Sequence, residues 1–251
     1  MPLRIRAFVF HLVGSAGVLL LVFGGLYLGW YRWPGWYLTR VLHVAIIVLC
    51  VDACLGPLCT LLIANPKKPR RELSRDVAII VLVQLVALVY GAATLWQGRP
   101  LYYAFSVDRL ELVQANDIQS DEAALARKLN PDLAPHWYSL PRWVYAPLPE
   151  NKDESAKIAL SAVFGGKDVI QMPKYFKPWA AGLPMLKGKL IASKALPYFS
   201  PHQHEVLSAR LARLGVAPDS PTVMLLTGDG RLMVAVFQRD PLQITAIVAP
   251  E

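Results

Sequence analysis

Three long apolar runs in the first 96 residues limit what this chain can fold into. They cover about residues 7–30, 41–64 and 77–96, and none of them contains Lys or Arg. A helix needs roughly 20 apolar residues to cross a bilayer core about 30 Å thick, so we predict three transmembrane α-helices. The first run is too long for a secretory signal and no small-x-small cleavage site closes it, so we expect it to remain as an anchor.

The positive charge of the chain is concentrated in this membrane region. The net charge is +8, and residues 1–96 hold nine Lys and Arg against three acidic residues, whereas residues 97–251 hold 17 against 15. Basic charge beside membrane spans is explained by membrane insertion alone. We therefore expect no nucleic-acid partner.

Lysine and arginine near the ends of the spans predict their orientation. Residues 65–76 hold five such charges, whereas residues 31–40 hold two. Because positively charged loops stay cytoplasmic, we predict that the N-terminus and the loop over 65–76 are cytoplasmic and that the C-terminal part lies outside. In a bacterium this places the spans in the inner membrane and the C-terminal part in the periplasm. The basic loop also suits anionic membrane lipids, although its role as an orientation signal is enough to explain it.

Residues 97–251 are predicted to form a soluble, periplasmic α+β domain. Helix signals include the caps Ser120 and Asn151, and Pro201 at a first helical position. A glycine-rich turn over 227–231 predicts a hairpin. The predicted helices are 121–129, 152–164 and 200–214, and the predicted strands are 101–107, 110–113, 223–226, 232–237 and 243–248. All three cysteines lie in the second span, so we expect this domain to fold without disulfides.

Asp52 is the most informative polar residue of the spans. A carboxylate at the centre of a membrane helix costs at least about 2.5 kcal/mol, so we expect Asp52 to face protein. Small residues fall on the same side of the second span, which favours close helix packing. They are Ala45, Gly56, Cys59 and Thr60. Pro57 removes a hydrogen bond and favours a kink there.

The third span carries a matching row of small and polar residues, namely Gln84, Ala87, Gly91 and Thr94, with Tyr90 at nearly the depth of Asp52. The first span offers Gly14, Gly17, Gly24 and Gly25-x-x-x-Gly29. Three interpretations of Asp52 follow. It is neutral or hydrogen-bonded to Gln84, Tyr90 or Thr60 and fixes the bundle, or it contacts a partner helix, or it belongs to an ion or proton pathway. The last is the weakest, because we expect Asp52 to be the only titratable group at that depth.

No motif in the chain predicts a catalytic, metal or cofactor site. His202-x-His204-Glu205 begins a predicted helix, where residues two apart diverge, and a third metal ligand is not apparent. Gly165-Gly166-Lys167 lacks the rest of a phosphate-binding loop. No Gly-x-Ser-x-Gly motif occurs. We therefore expect that the chain is not an enzyme and binds no cofactor.

Short motifs follow one another in a specific order from the N-terminus to about Ile118. They are His11-Leu12, Ser15, Tyr31 to Pro34, Asp52-x-x-Leu55-Gly56-Pro57-x-x-Thr60-Leu61, Asp76, Gln84, Ala87, Tyr90-Gly91, Arg99-Pro100-x-Tyr102 and Phe105-x-Val107-Asp108-Arg109-x-Glu111. In this combination the chain resembles the TfpX/TfpZ type IV pilin accessory proteins. It departs from them at Leu110, where an aromatic residue is usual, and beyond Ile118 it resembles them only in length and general character.

The resemblance implies an inner-membrane protein, chaperone-like and without catalytic activity, that helps a cognate pilin to enter or leave the pilus. Its implied partner is the type IV major pilin, together with other pilus-assembly components. Our hypothesis is that the spans around Asp52 and Gly56 hold the pilin helix while residues 97–251 touch the pilin head. The membrane candidates are Asp52, Gly56, Pro57, Thr60, Gln84, Tyr90 and Gly91, and the periplasmic candidates are Arg99, Pro100, Tyr102, Phe105, Asp108 and Arg109. The alternative is a membrane-anchored envelope sensor or scaffold whose outer domain binds another ligand or protein.

Overall fold

A computed structural model describes residues 3–64 and 68–251 of the chain. Lys67, one of the five charges of the predicted cytoplasmic loop, lies outside the described residues. The chain divides into two units. The first comprises residues up to 36 together with 40–99, and the second comprises 37–39 together with 100–251.

Within its described residues, the first unit contains three helices that are long and apolar enough to cross a membrane, over Arg4–Tyr31, Val41–Ile63 and Arg70–Gln97. This confirms the predicted membrane protein with three N-terminal spanning helices. Its elements are α1 (Leu3–Leu26), a π-helical turn (Tyr27–Tyr31), α2 (Gly35–Leu38), α3 (Val41–Leu49), a second π-helical turn (Cys50–Leu55), α4 (Gly56–Ile63) and α5 (Arg70–Gln97).

Helix α5 begins earlier than the sequence predicted. Residues 70–76 were assigned to the loop over 65–76, but they form the first two turns of α5. The carbonyl oxygen of Pro69 accepts bonds from the amides of Glu72 and Leu73, which starts the helix. The prediction was wrong here because apolar residues mark where a helix crosses lipid, whereas charged residues continue the same helix into water.

A π-helical turn precedes Pro57 in the second span. The amide of Gly56 bonds to the carbonyl oxygen of Val51, five residues back, instead of four. Proline has no amide hydrogen to continue the ladder, so the widened turn lies where the sequence predicted a disturbance. The extra residue in this turn rotates the residues that follow it relative to α-helical spacing.

The second unit is an α+β domain built on one mixed sheet of eight strands. The strand order is β4-β3-β1-β2-β6-β7-β8, with β5 paired to β6. The strands are β1 (Pro100–Ser106), β2 (Arg109–Gln114), β3 (Arg142–Tyr145), β4 (Lys177–Pro178), β5 (Ile191–Ala192), β6 (Pro221–Gly228), β7 (Arg231–Arg239) and β8 (Leu242–Val248). The helices are α6 (Ser120–Leu129), α7 (Lys152–Val163), α8 (Trp179–Lys187) and α9 (Pro201–Arg213), with short 3-10 turns between them.

Most predicted elements of this domain are present, and their terminal signals act as expected. The side chain of Asn151 accepts the amides of Asp153 and Glu154 at the start of α7. Ser200 caps α9 and accepts the amide of Gln203. Ser120, however, is the first residue of α6 and not its cap, because the Ala123 amide already bonds to the carbonyl oxygen of Gln119.

The proline-rich middle of the domain contains structure that the sequence did not reveal. Strand β3 lies parallel to the central strand β1, and α8 runs on through Pro184. Proline in a helix or beside a short strand is a loop signal, which hid both elements.

The sheet domain has two hydrophobic cores. The first core includes Leu101, Tyr102, Val144, Ile158 and Phe176. In the second core, Leu207 and Leu211 of α9 pack onto sheet residues Val223, Val234 and Val236.

Three residues between the first two spans belong to this sheet domain. Leu38 is fully buried in it, and Arg231 Nη1 donates a hydrogen bond of 2.9 Å to the carbonyl oxygen of Tyr37. The Arg231 guanidinium also lies 5.2 Å from the centre of the Tyr37 ring. Gly228 makes this approach possible, because a Cβ there would lie 2.9 Å from Cβ of Leu38.

Candidate functional site

A polar network joins the three membrane helices at His11, Thr60 and Gln84. His11 Nδ1 lies 2.5 Å from Thr60 Oγ1, and His11 Nε2 lies 2.7 Å from Gln84 Oε1. Gln84 Nε2 donates a 2.9 Å hydrogen bond to the main-chain carbonyl of Asp52. Each bond connects a different pair of spans, so the network fixes α1, the second span and α5 to one another.

The contacts of Thr60 and Gln84 continue the network beyond His11. The Thr60 hydroxyl also lies 3.1 Å from the carbonyl oxygen of Gly56, its hydrogen-bond acceptor in the same helix. Gln84 uses its amide nitrogen on the main chain of Asp52 and presents its oxygen to His11. Which ring nitrogen of His11 donates depends on its tautomer.

Asp52 lies beside this network with one carboxylate oxygen unpaired. Its side chain is 4% exposed, and Oδ1 has no hydrogen-bond partner within residues 3–64 and 68–251. Buried polar atoms in proteins are almost always bonded. Oδ1 of Asp52 is therefore a buried hydrogen-bond acceptor with room for a donor from a ligand.

Two glycines allow the helices to approach closely. A Cβ at Gly56 would overlap the amide group of Gln84, and a Cβ at Gly91 would overlap the side chain of Val48. Gly56 therefore makes room for the amide that bonds to Asp52 and His11. Pro57 is buried next to it.

Some predicted membrane candidates face away from this site. Tyr90 is 76% exposed and Thr94 is exposed, because six and ten residues of α-helix turn them away from Gln84. Tyr90 is therefore not the partner of Asp52. Cys59 is also exposed, since the π-helical turn rotates it off the side that holds Asp52, Gly56 and Thr60.

His11 is the residue that the sequence analysis missed. Through Gln84 it is joined to the main-chain oxygen of Asp52. Counting residues from a span end gives depth along one helix and does not show which neighbouring side chain reaches across. The signal in the sequence was that His11 belongs to the ordered set of short motifs between the N-terminus and Ile118.

A cavity of about 500 Å³ lies over this network, between α1 and α5. Its polar part is formed by His11, Ser15, Asp52, Thr60 and Gln84, and the remaining walls are apolar. Its rim includes Phe10, Val18, Val81 and Leu85, which are between 46% and 74% exposed. Exposed apolar side chains on spanning helices face lipid, so the cavity opens sideways into the bilayer.

The predicted periplasmic candidates do not converge on one site. Arg99 donates a 2.6 Å bond to the carbonyl oxygen of Trp96 and lies over its ring, at the end of α5. Pro100 begins β1. Tyr102 is fully buried and donates a 2.7 Å bond to the carbonyl oxygen of Leu133. Phe105 is fully buried as well, so these residues build the central strand.

Asp108 and Arg109 lie at the exposed turn between β1 and β2. Arg109 forms ion pairs of 3.0 Å with both Glu111 and Asp168. Burial raises the pKa of Glu111, and the bond from Arg109 opposes this rise only in part. The pairs tie the hairpin to the segment before Val169 and indicate a structural role.

No cluster of three or more His, Cys, Asp or Glu side chains that could hold a metal ion occurs in the described part of the chain.

Comparison with known proteins identifies relatives in one organism. No family model and no solved structure matches the chain. It is 26% identical over 204 residues to the fimbrial assembly protein of serogroup I of Dichelobacter nodosus, which covers 79% of this chain and 77% of that protein. The serogroup E1 protein is 26% identical over 180 residues, 70% of this chain and 67% of its own length.

The fimbrial assembly protein of serogroups C1 and C2 of the same organism is 30% identical over 112 residues. The match covers 45% of this chain and 86% of that relative. Together with three spanning helices and the sheet domain that follows them, these matches show that the chain belongs to the family of fimbrial assembly proteins.

Proposed function

We propose that this chain is a type IV pilin accessory protein of the TfpX/TfpZ kind. It binds its cognate major pilin in the bacterial inner membrane, in a chaperone-like way, and modulates pilus assembly or disassembly without catalysing a reaction. Its N-terminus is cytoplasmic and its sheet domain periplasmic. The names of its relatives and the motifs shared with the accessory proteins support this role.

The observation that carries the proposal is the sideways cavity between α1 and α5. Its lining runs from Ala7 to Val18 along α1 and from Val77 to Leu88 along α5. Each stretch is about 16 Å long at 1.5 Å per residue, so the cavity follows the helix axes over about three turns, as a groove for another helix would. By resemblance, the partner waits in the membrane as a long apolar helix, which would enter the cavity directly from the bilayer.

A second surface suits the soluble head of the pilin. Leu160, Val163 and Phe164 lie at the end of α7 and are 59%, 79% and 81% exposed. Their spacing places them on one side of the helix. A contiguous apolar patch on a soluble domain is typical of a protein-binding surface, so we assign this patch to the pilin head.

Photocrosslinking in cells that express the pilin tests the proposal. A photoreactive residue replaces Val81, which lines the cavity, and Val83, which is 60% exposed on another side of α5, serves as the matched control. We expect a pilin adduct, identified by mass spectrometry, from position 81 and little from position 83.

A strong adduct with a different envelope protein from position 81 would favour the alternative role of sensor or scaffold. Equal pilin adducts from both positions would contradict binding in the cavity. The abundance of each variant in carbonate-washed membranes is the control for insertion.

A further inference from the structure

We propose that the helix in this cavity supplies a hydrogen-bond donor, at mid-membrane depth, to Oδ1 of Asp52. The inference rests on the proposed function and adds the chemistry by which the site recognises its partner. The ligand is an apolar transmembrane helix that carries one N–H or O–H donor at this depth.

Asp52 presents a free hydrogen-bond acceptor to the cavity. Its side chain is 4% exposed, lines the cavity and leaves Oδ1 unpaired within the described residues. In hydrocarbon there is little water to replace a missing partner, so an unpaired oxygen is more unfavourable there than at a soluble surface. A donor brought by a partner removes that penalty and makes binding specific.

The donors of Thr60 and His11 are directed elsewhere. Thr60 Oγ1 donates to the carbonyl oxygen of Gly56, and both ring nitrogens of His11 face Thr60 and Gln84. Gln84 Nε2 bonds to the main-chain oxygen of Asp52. Within the described residues this arrangement leaves Oδ1 of Asp52 without a hydrogen bond.

The depth of Asp52 excludes a lipid headgroup as the donor. Asp52 is 11 residues from each end of the helix Val41–Ile63, which is about 16 Å along the axis at 1.5 Å per residue. Headgroups lie at the ends of the spans, and acyl chains contain no donors. The donor at this depth must therefore come from a polypeptide.

The donor can be neutral or charged. A hydroxyl or an amide would bond to Oδ1 without changing the net charge of the site. An ammonium group would bond to the same oxygen and add one positive charge. Both ligands share the donor chemistry, and the asparagine variant below distinguishes them.

The test uses the chain with the photoreactive residue at position 81 and compares Asp52→Ala, Asp52→Leu and Asp52→Asn. We expect the alanine and leucine variants to lower the pilin adduct about three- to tenfold, the range of a lost polar contact between membrane helices. Asparagine keeps a neutral acceptor at this site. It should retain most of the adduct if the donor is neutral, and lose it if the donor is an ammonium. The alanine variant adds no bulk, so it reads out the loss of the carboxylate even where leucine disturbs packing.

Two results would overturn the inference. One is an undiminished pilin adduct from Asp52→Ala at normal abundance. The other is an adduct between two copies of this chain that disappears in Tyr90→Phe, because Tyr90 is 76% exposed in α5 and would then be the donor. If the chain with aspartate at 52 gives no pilin adduct, the proposed function itself has failed, which distinguishes the two failures.

Discussion

Replacing Gly56 by alanine should weaken the membrane unit through one side chain, that of Gln84. A Cβ at position 56 would overlap the amide group of Gln84, so this group must move. It would then lose its 2.9 Å bond to the Asp52 carbonyl and its 2.7 Å bond to His11. We expect the main chain of α4, which contains position 56, to stay unchanged.

The expected cost follows from those two bonds. Hydrogen bonds between membrane helices contribute about 0.6 kcal/mol on average and about 1.7 kcal/mol at most. Losing both should lower the free energy of unfolding by about 1–3 kcal/mol. Gly14→Ala is the matched control, because a Cβ at Gly14 meets no described atom within 4 Å, so this substitution should have no cost.

Unfolding of the full chain by sodium dodecyl sulfate in mixed micelles provides the assay. In the Gln84→Ala background, where the overlap is gone, Gly56→Ala should cost less than about 0.5 kcal/mol, so the two changes are strongly coupled. Additive costs would refute the reasoning, since they would show that Gly56 acts independently of Gln84. Equal stabilities of Gly56→Ala and Gly14→Ala would refute it as well.

Three further predictions concern the sheet domain and the orientation. Burial raises the pKa of Glu111, so the stability that its protonated form contributes is present at low pH and is lost as the pH rises above about 4.3. Glu111→Gln should therefore flatten the fall in melting temperature over this pH range. An unchanged fall in the variant would contradict this prediction. Arg231→Ala removes the hydrogen bond and the ring contact to Tyr37, which together stabilise this segment by about 1–2 kcal/mol. The substitution should speed amide hydrogen exchange in residues 37–39 about tenfold. Unchanged exchange would show that the two contacts do not stabilise the segment. Alkaline phosphatase fused after Trp96 should be active and the same enzyme fused within 65–76 inactive; the reverse pattern would invert the orientation.

Local signals predicted the elements that have clear ends. Asn151 and Ser200 mark helix starts because their side chains accept the first free amides, and these bonds depend only on nearby sequence. The turn between β6 and β7 was equally readable, because Asp229 and Gly230 both adopt positive φ angles, as a tight hairpin requires.

Contacts between distant segments were not predictable in the same way. Strand β3 is held by pairing with β1, and the burial of Leu38 depends on the approach of Gly228. In the membrane, periodicity placed Asp52 on the inner side of its helix, but the partners of His11 depend on how three helices are rotated. The π-helical turn over Cys50–Leu55 changed that rotation, and no residue pattern indicated the extra residue in this turn.

The most direct test of the account compares Gly14→Phe with Gly25→Phe. A Cβ at either position meets no described atom within 4 Å, yet only Gly14 lines the cavity. A phenylalanine at 14 should therefore fill the space that the partner helix needs, and the pilin adduct from position 81 should fall strongly, while Gly25→Phe keeps it. Equal adducts from the two variants, at equal membrane abundance, would contradict the claim that the partner binds between α1 and α5.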